Sequence, residues 1–272
     1  MLDIRLLGPV EVVGAAEPVG GVSRMPRLLL AVLALCEGDR IGAAELVEEL
    51  WGDEPPEQAE SALHAHITRL RKALDGWEPD GPGRARLRHR SGGYVLDLEP
   101  EETDAMRFKR LRAEGFFHAD ASAVAVPLLE SALRQWRGPA LADVAGGPRC
   151  ARAADELTEM RLATATELIE HRIKAGAHNV AVIELWSLVE AHPLDEAFTD
   201  QLMVALHGSG RRSQALAAYH RLRRRLLDAF GVEPTAALQW RMHTILNAET
   251  PVPAPRAVEM PEPGPVSGGG VR

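Results

Sequence analysis

Residues 57–74 read EQAESALHAHITRLRKAL, and the reading of the whole chain turns on them. At 100° per residue, Leu63, Ile67, Leu70 and Leu74 fall within about 60° of one another, as on a helix with one apolar face. The opposite face carries Gln58, Ser61, Ala62, Ala65, Thr68, Arg69 and Lys72, with His64 and Arg71 on one flank and His66 on the other. Small and hydrogen-bonding side chains near the start, with bases near the end, suit a helix laid in a DNA major groove. Small residues allow close approach, polar ones reach base edges and basic ones hold phosphates. A plain solvated amphipathic helix is the other reading, although such helices usually carry more Glu and Lys pairs on their outer face. The helix alone does not decide between the two.

Its neighbours narrow the choice. A Pro/Gly spacer, EPDGPGRA (78–85), leads into ARLRHRSGGYVLDLEP (85–100). There Leu87 and His89 alternate with Arg86, Arg88 and Arg90 before Ser91-Gly92-Gly93, and Tyr94, Leu96 and Leu98 follow. This predicts a β-hairpin with a glycine turn and one arginine-rich strand, shaped to lay its tip on a DNA backbone or minor groove. Upstream, AAELVEELW (43–51) predicts a short helix and Gly52-Asp53-Glu54-Pro55-Pro56 a stiff loop. RLLLAVLALCEG (27–38) is a buried helix, with Ser23 placed to cap it, Pro26 tolerated in its first turn and Gly38 closing it. Before that, Leu2, Ile4 and Leu6, the Gly8-Pro9 turn, then Val10, Val12 and Val13 predict a small antiparallel sheet, with Gly14 and Gly20-Gly21 as further turns. Three helices, the third polar-faced, followed by a basic hairpin make a winged helix-turn-helix over residues 1–98.

Charge alone would not suggest it. The 272-residue chain has 31 Lys and Arg against 39 Asp and Glu, a net charge of −8, which excludes a protein coated in positive potential. Residues 1–98 are themselves net negative, with 11 bases and 16 acids. Yet residues 61–72 hold no acid and three bases, and residues 81–96 hold no acid and four arginines. Those two basic islands coincide with the helix and the hairpin.

Other classes find little support. At 46% hydrophobic and 26% charged the chain is not globally disordered. Its longest apolar run, Leu28 to Cys36, is too short to cross a membrane, and no cleavable leader is visible, so a cytoplasmic protein without a membrane partner is expected. Cys36 and Cys150 form no CxxC or Cys/His cluster and read as buried thiols rather than a disulfide or zinc site. His64 and His66 point to different helix faces and cannot chelate one metal. No GxxxxGK[ST], HExxH, GxSxG or GxGxxG motif occurs, so neither catalytic residue nor cofactor is expected. Trp51, Trp77, Trp136, Trp186 and Trp240 read mainly as packing anchors, Trp51 leading into the exposed loop.

From 104 to 248 nearly everything reads as helix, in segments 104–118, 122–136, 149–175, 178–191, 195–208, 212–229 and 235–248 separated by Gly, Pro or Asp. Pro127 should make the second of these kink or begin later. The run LMVALHGSGRRSQALAAYHRLRRRLLDAFGVEP (202–234) has the small-residue and Tyr spacing of a tetratricopeptide pair. Its cluster Arg211, Arg212, Arg221, Arg223, Arg224 and Arg225 reads either as a second nucleic-acid patch or as a solvated face with ion pairs. Residues 249–272, dense in Pro and Gly, are expected to be a disordered tail.

HAHITRLRKALD with RHRSGGYVL resembles the DNA-binding domain of OmpR/PhoB-type response regulators. Adding LLGPVEV, RLLLAVLAL, ELVEELWGDEPPEQAESALHAHITRLRKAL, SGGYVLDLEP, LESALRQWRGPALADV, EMRLATATELIEHRIKAG and HGSGRRSQALAAYHRLRRRLLDAFGVEPTAAL, the chain resembles the Streptomyces antibiotic regulatory protein family up to about Ala248. The resemblance implies a mainly α fold with small β elements. An OmpR/PhoB-type winged helix (1–98) would be followed by an all-α, tetratricopeptide-like transcriptional activation domain (99–248). It further implies a sequence-specific activator of an antibiotic or secondary-metabolite gene cluster. Such a protein binds direct repeats at the promoter as a homodimer or head-to-tail pair and recruits RNA polymerase holoenzyme with its sigma factor. On this reading Gln58, Ser61, Thr68 and Arg69 face base edges, while His64, Arg71 and Lys72, with Arg88 and Arg90 of the wing, face phosphates. Trp51, Asp53 and Glu54 then lie at the loop that polymerase would touch. The alternative is a tetratricopeptide adaptor for a protein or small-molecule signal with a degenerate winged helix, favoured by the net negative first domain.

Overall fold

The computed structural model describes residues 2–14, 23–144 and 146–248; the expected Gly20-Gly21 turn and the tail 249–272 lie outside them. Strands β1 (Asp3–Arg5) and β2 (Glu11–Val13) pair antiparallel, with Ile4 opposite Val12. Helix α1 (Arg24–Leu35) is buried on most sides, as its run of Leu and Ala dictates. Ser23 stands at its N-cap position, but its side chain makes no capping bond. Then come β3 (Ile41–Gly42), α2 (Ala43–Trp51) and α3 (Ala59–Trp77), followed by the hairpin of β4 (Leu87–Arg90) and β5 (Gly93–Leu96). The second sheet has the order β3-β5-β4.

Three features depart from the sequence reading. Strand β3 was not predicted: two residues carry no periodicity, and it exists because Ile41 pairs with Tyr94 and Gly42 with Gly93 on β5. Only glycine fits at 93, where a Cβ would meet the Ile41 carbonyl oxygen at 2.3 Å. Helix α3 begins two residues late and runs three past Leu74, through Gly76, because Trp77 is buried in the core and anchors the last turn. Arg86 is not a strand residue of the hairpin; it sits in a short 3₁₀ turn (Gly83–Arg86) just before β4.

The rest is helical: α4 (Asp104–Phe117), α5 (Ser122–Leu133), α6 (Pro148–Lys174), α7 (His178–Ala191), α8 (Glu196–Gly208), α9 (Arg212–Phe230) and α10 (Ala236–Asn247). Consecutive helices from α4 to α10 pack on one another, as short connections require. Pro127 neither delays α5 nor ends it. It lies on the exposed side together with Ala123, whose carbonyl loses its amide partner to the proline where water can replace it. The arginines of α9 largely follow the ion-pair reading: Arg221 and Arg225 meet Glu190, and Arg223 meets Glu233. Trp240, read as an anchor, is instead 64% exposed.

Packing does not break near residue 98. One core runs from Leu2 through α1, α3 and the wing to Phe108, Trp136, Leu141, Cys150 and Leu157; a second joins α7 to α10 around Leu185, Phe198, Leu202 and Leu222. Polar bonds reinforce the junction. Asp104, buried at the start of α4, accepts the amides of Leu6 at 2.7 Å and Leu7 at 3.0 Å. Glu49, buried on α2, accepts the amides of Arg149 at 2.6 Å and Cys150 at 3.2 Å in the first turn of α6, and its own carbonyl takes the Gly147 amide. A carboxylate at a helix N-terminus satisfies orphan donors and complements the helix dipole.

Burial, with Glu49 alongside, pushes the Cys150 thiol up to about 12. The thiolate is the reactive species, so Cys150 should resist iodoacetamide in the native protein at pH 8 and react promptly once the protein is denatured. Mass spectrometry of trapped samples reads this; equal rates in the two states would contradict the packing.

Candidate nucleic-acid interface

The two faces of α3 part cleanly. Leu63, Ile67, Leu70, Leu74 and Trp77 are buried, which fixes the rotation of the helix, while Gln58, Ser61, His64, Ala65, Thr68, Arg69 and Lys72 are exposed. Gln58 stands just before the helix, at its N-cap position. The hydroxyl of Thr68 donates to the His64 carbonyl at 2.9 Å, and Nδ1 of His64 lies 2.8 Å from the Glu60 carbonyl. Arg69 places Nη1 3.3 Å from Nδ1 of His66, whose ring lies 5.8 Å from that of Trp51. Trp51 is half-buried at the end of α2, and Asp53 and Glu54 are exposed in the loop after it.

The arginines of the wing divide by what they touch. Arg71 on α3 donates through Nε and Nη2 to the Leu87 carbonyl, at 3.1 and 2.9 Å, and so bolts helix to hairpin. Arg84 pairs with Asp75, and Arg88 pairs with Asp97 at 2.5 Å. Arg86 is almost fully enclosed and holds two carboxylates, Glu78 and Glu102, along with the Asp97 carbonyl. The second basic island is thus acid-free in sequence but not in space. Asp75 and Glu78 come to it from the end of α3 and the residue after, Asp97 and Glu102 from the segment after β5. Sequence reasoning missed this because the partners lie 8–16 residues away. Arg90, Lys72 and, ahead of β3, Arg40 are exposed and have no acid partner among the described residues. Ser91, with φ of 44°, and Gly92, with φ of 76°, form a tight tip with little side-chain bulk. The rings of His89 and His64 stand 5.3 and 6.4 Å from Tyr94 and link the wing to the helix.

Among the described residues no group of His, Cys, Asp and Glu is arranged to hold a metal ion, and no helix is long and apolar enough to cross a membrane.

A helix with one buried and one cationic, hydrogen-bonding face, braced by a wing and fused to a helical bundle, defines a class: winged-helix regulators of transcription. Residues 22–96 match the family model for the C-terminal domain of transcriptional regulatory proteins, and residues 103–246 match that of the bacterial transcriptional activator domain. The chain is 41% identical over 256 residues to the transcriptional regulator RedD of Streptomyces coelicolor, covering 92% of this chain and 72% of that one. It is 37% identical over 253 residues to the regulatory protein DnrI of Streptomyces peucetius, covering 91% of this chain and 93% of that one. Among solved structures, Mycobacterium tuberculosis EmbR, in complex with a low-affinity phosphopeptide, superposes with a TM-score of 0.83 at 32% identity, over 90% of this chain and 65% of that chain. The protein belongs to the Streptomyces antibiotic regulatory protein family of transcriptional activators; both family matches and the named relatives point to a regulator of transcription rather than an enzyme.

Proposed function

We propose that this protein activates an antibiotic or secondary-metabolite gene cluster by binding direct repeats at its promoter and recruiting RNA polymerase holoenzyme with its sigma factor. It acts in the cytoplasm, on the nucleoid. Residues 1–98 serve as the DNA-binding domain and 99–248 as the activation domain. Helix α3 enters the major groove, with Gln58, Ser61, Thr68 and Arg69 toward base edges and His64 and Lys72 toward phosphates. The wing lies on the adjacent backbone or minor groove through Arg90 and, once DNA competes with Asp97, Arg88. Arg71 reaches phosphate with Nη1, since its other donors hold the wing. Two copies sit as a head-to-tail pair, and the loop carrying Trp51, Asp53 and Glu54 faces polymerase.

One observation carries this reading. Arg69 and Lys72 stand exposed, without an acid partner among the described residues, on a helix whose other face is locked in the core. A degenerate winged helix serving an adaptor would have no use for unpaired cations along that line.

The test separates recognition from attraction. A bidentate Arg-to-base contact carries about 1–3 kcal/mol of discrimination, so Arg69→Ala should lower the ratio of affinities for cognate and scrambled duplexes by roughly fivefold to a hundredfold. Lys72→Ala should weaken both duplexes alike and reduce the slope of log K against log salt by about 0.9. Gel-shift titrations across a salt series read both quantities. Equal loss of discrimination from the two variants would remove the assigned roles.

A further inference from the structure

His66 lies at the edge of the proposed reading surface. It is half-buried, with its ring beside the Trp51 indole and its Nδ1 turned to Nη1 of Arg69. A guanidinium has donors only. An Arg69 hydrogen bond therefore requires a lone pair on Nδ1, which fixes the ring as the neutral tautomer protonated at Nε2. The arrangement is a short chain of support: α2 ends in Trp51, Trp51 backs His66, and His66 holds the one arginine of α3 placed for base edges.

We propose that His66 is a specificity-determining positioning residue, whose neutral Nδ1 accepts from Arg69 and aims the guanidinium at the base edge. This rests on the reading that α3 enters the major groove. Protonation of Nδ1 would set donor against donor and release Arg69, so discrimination should fall as the ring becomes charged. Burial first, and the Arg69 charge second, hold the His66 pKa below the ordinary imidazole value, which keeps the ring neutral at pH 7. Arg69 is the charged group acting on the ring from its own helix, and α2 sets the uncharged Trp51 indole beside it. His64, His89, Asp53 and Glu54 are other ionisable side chains exposed on this surface. A charge change at any of them alters attraction to every duplex, whereas the proposed effect appears in the ratio between duplexes.

The experiment uses the full chain, a duplex selected by the protein from a random pool, and a scrambled duplex of equal composition. Imidazole ¹⁵N spectra at pH 7.5 should show the His66 ring protonated at Nε2, and Arg69→Met should disturb that state. His66→Phe keeps an aromatic against Trp51 but offers no acceptor. It should cut discrimination roughly fivefold to tenfold, the low end of one lost bidentate base contact, while leaving affinity for the scrambled duplex and the melting temperature near wild type. Lowering the pH from about 7.5 to about 5, through and below the ordinary imidazole pKa, should reduce the wild-type ratio and leave the His66→Phe ratio flat. A His66 ring protonated at Nδ1, or a His66→Phe variant that discriminates as wild type does, would overturn the proposal. Arg69→Ala run in parallel separates the two failures: if it too leaves discrimination intact, the groove-reading assignment itself falls.

Discussion

Replacing Arg86 with methionine should lower the stability of the protein by about 3–5 kcal/mol, the usual loss when one member of a buried ion cluster is removed. Its side chain is 10% exposed, and those of Glu78 and Glu102 are 7% and 6% exposed, so little water reaches the group. Glu78 lies directly after α3 and Glu102 in the segment leading to α4, while Arg86 begins the wing. Methionine fills much of the same space but leaves two carboxylates enclosed without a counter-charge. The expected fall in Tm is roughly 6–20 °C at this chain length, followed by circular dichroism during heating. Adding Glu78→Gln and Glu102→Gln should recover most of the loss, because the penalty is stranded charge rather than missing volume. A change below about 1 kcal/mol, or no recovery in the triple variant, would show that the cluster is not dry.

Asp104→Ala should be the next most damaging change, at about 2–4 kcal/mol, because it orphans the buried amides of Leu6 and Leu7 together. Asp104→Asn offers one acceptor where two are used, and should fall between alanine and wild type. The ionisation of Asp104 adds a pH signature. Burial raises its pKa above the ordinary carboxylate value, against the opposing pull of the two amides, Arg137 and Arg107. A carboxyl whose folded pKa is raised stabilises the fold fully below its unfolded pKa, and loses that contribution as the pH rises through the folded value. Wild type should therefore gain stability relative to Asp104→Asn as the pH falls from neutrality toward the ordinary carboxylate pKa. Paired urea titrations over that window measure the difference, and the opposite slope would contradict the buried environment.

Much of this was open to inspection in the sequence, for a physical reason. Leu63, Ile67, Leu70 and Leu74 repeat at helical spacing, so both the existence of α3 and its rotation are local facts, and the exposed line from Gln58 to Lys72 follows from them. The seven helices after residue 104 were legible on the same grounds, with ends off by a few residues. What escaped depends on partners distant along the chain. Strand β3 exists through Tyr94 and Gly93, fifty residues on. Asp104 reads as an ordinary helix-start acid until Leu6 and Leu7 arrive from 98 and 97 residues away. Arg86 looked like one wing cation among four, and its burial comes from Glu78 after α3 and from Glu102 and the Asp97 carbonyl after β5. The contacts of His66 with Trp51 and Arg69 were hidden too, since His66 sits on the flank of the helical wheel and Trp51 comes from another helix.

The seat of α6 on Glu49 has a mechanical corollary. With 27 residues, α6 spans about 40 Å at 1.5 Å per residue. Its first turn is gripped by α2, the helix that precedes α3, and its last turn packs beside α5 and α7. If α3 reads the groove as proposed, α6 carries movement of that end outward: a tilt of about 5° at the grip would displace the far end by about 3.5 Å. On that reading, small differences in how α3 beds onto one duplex or another would be magnified at the bundle's outer end.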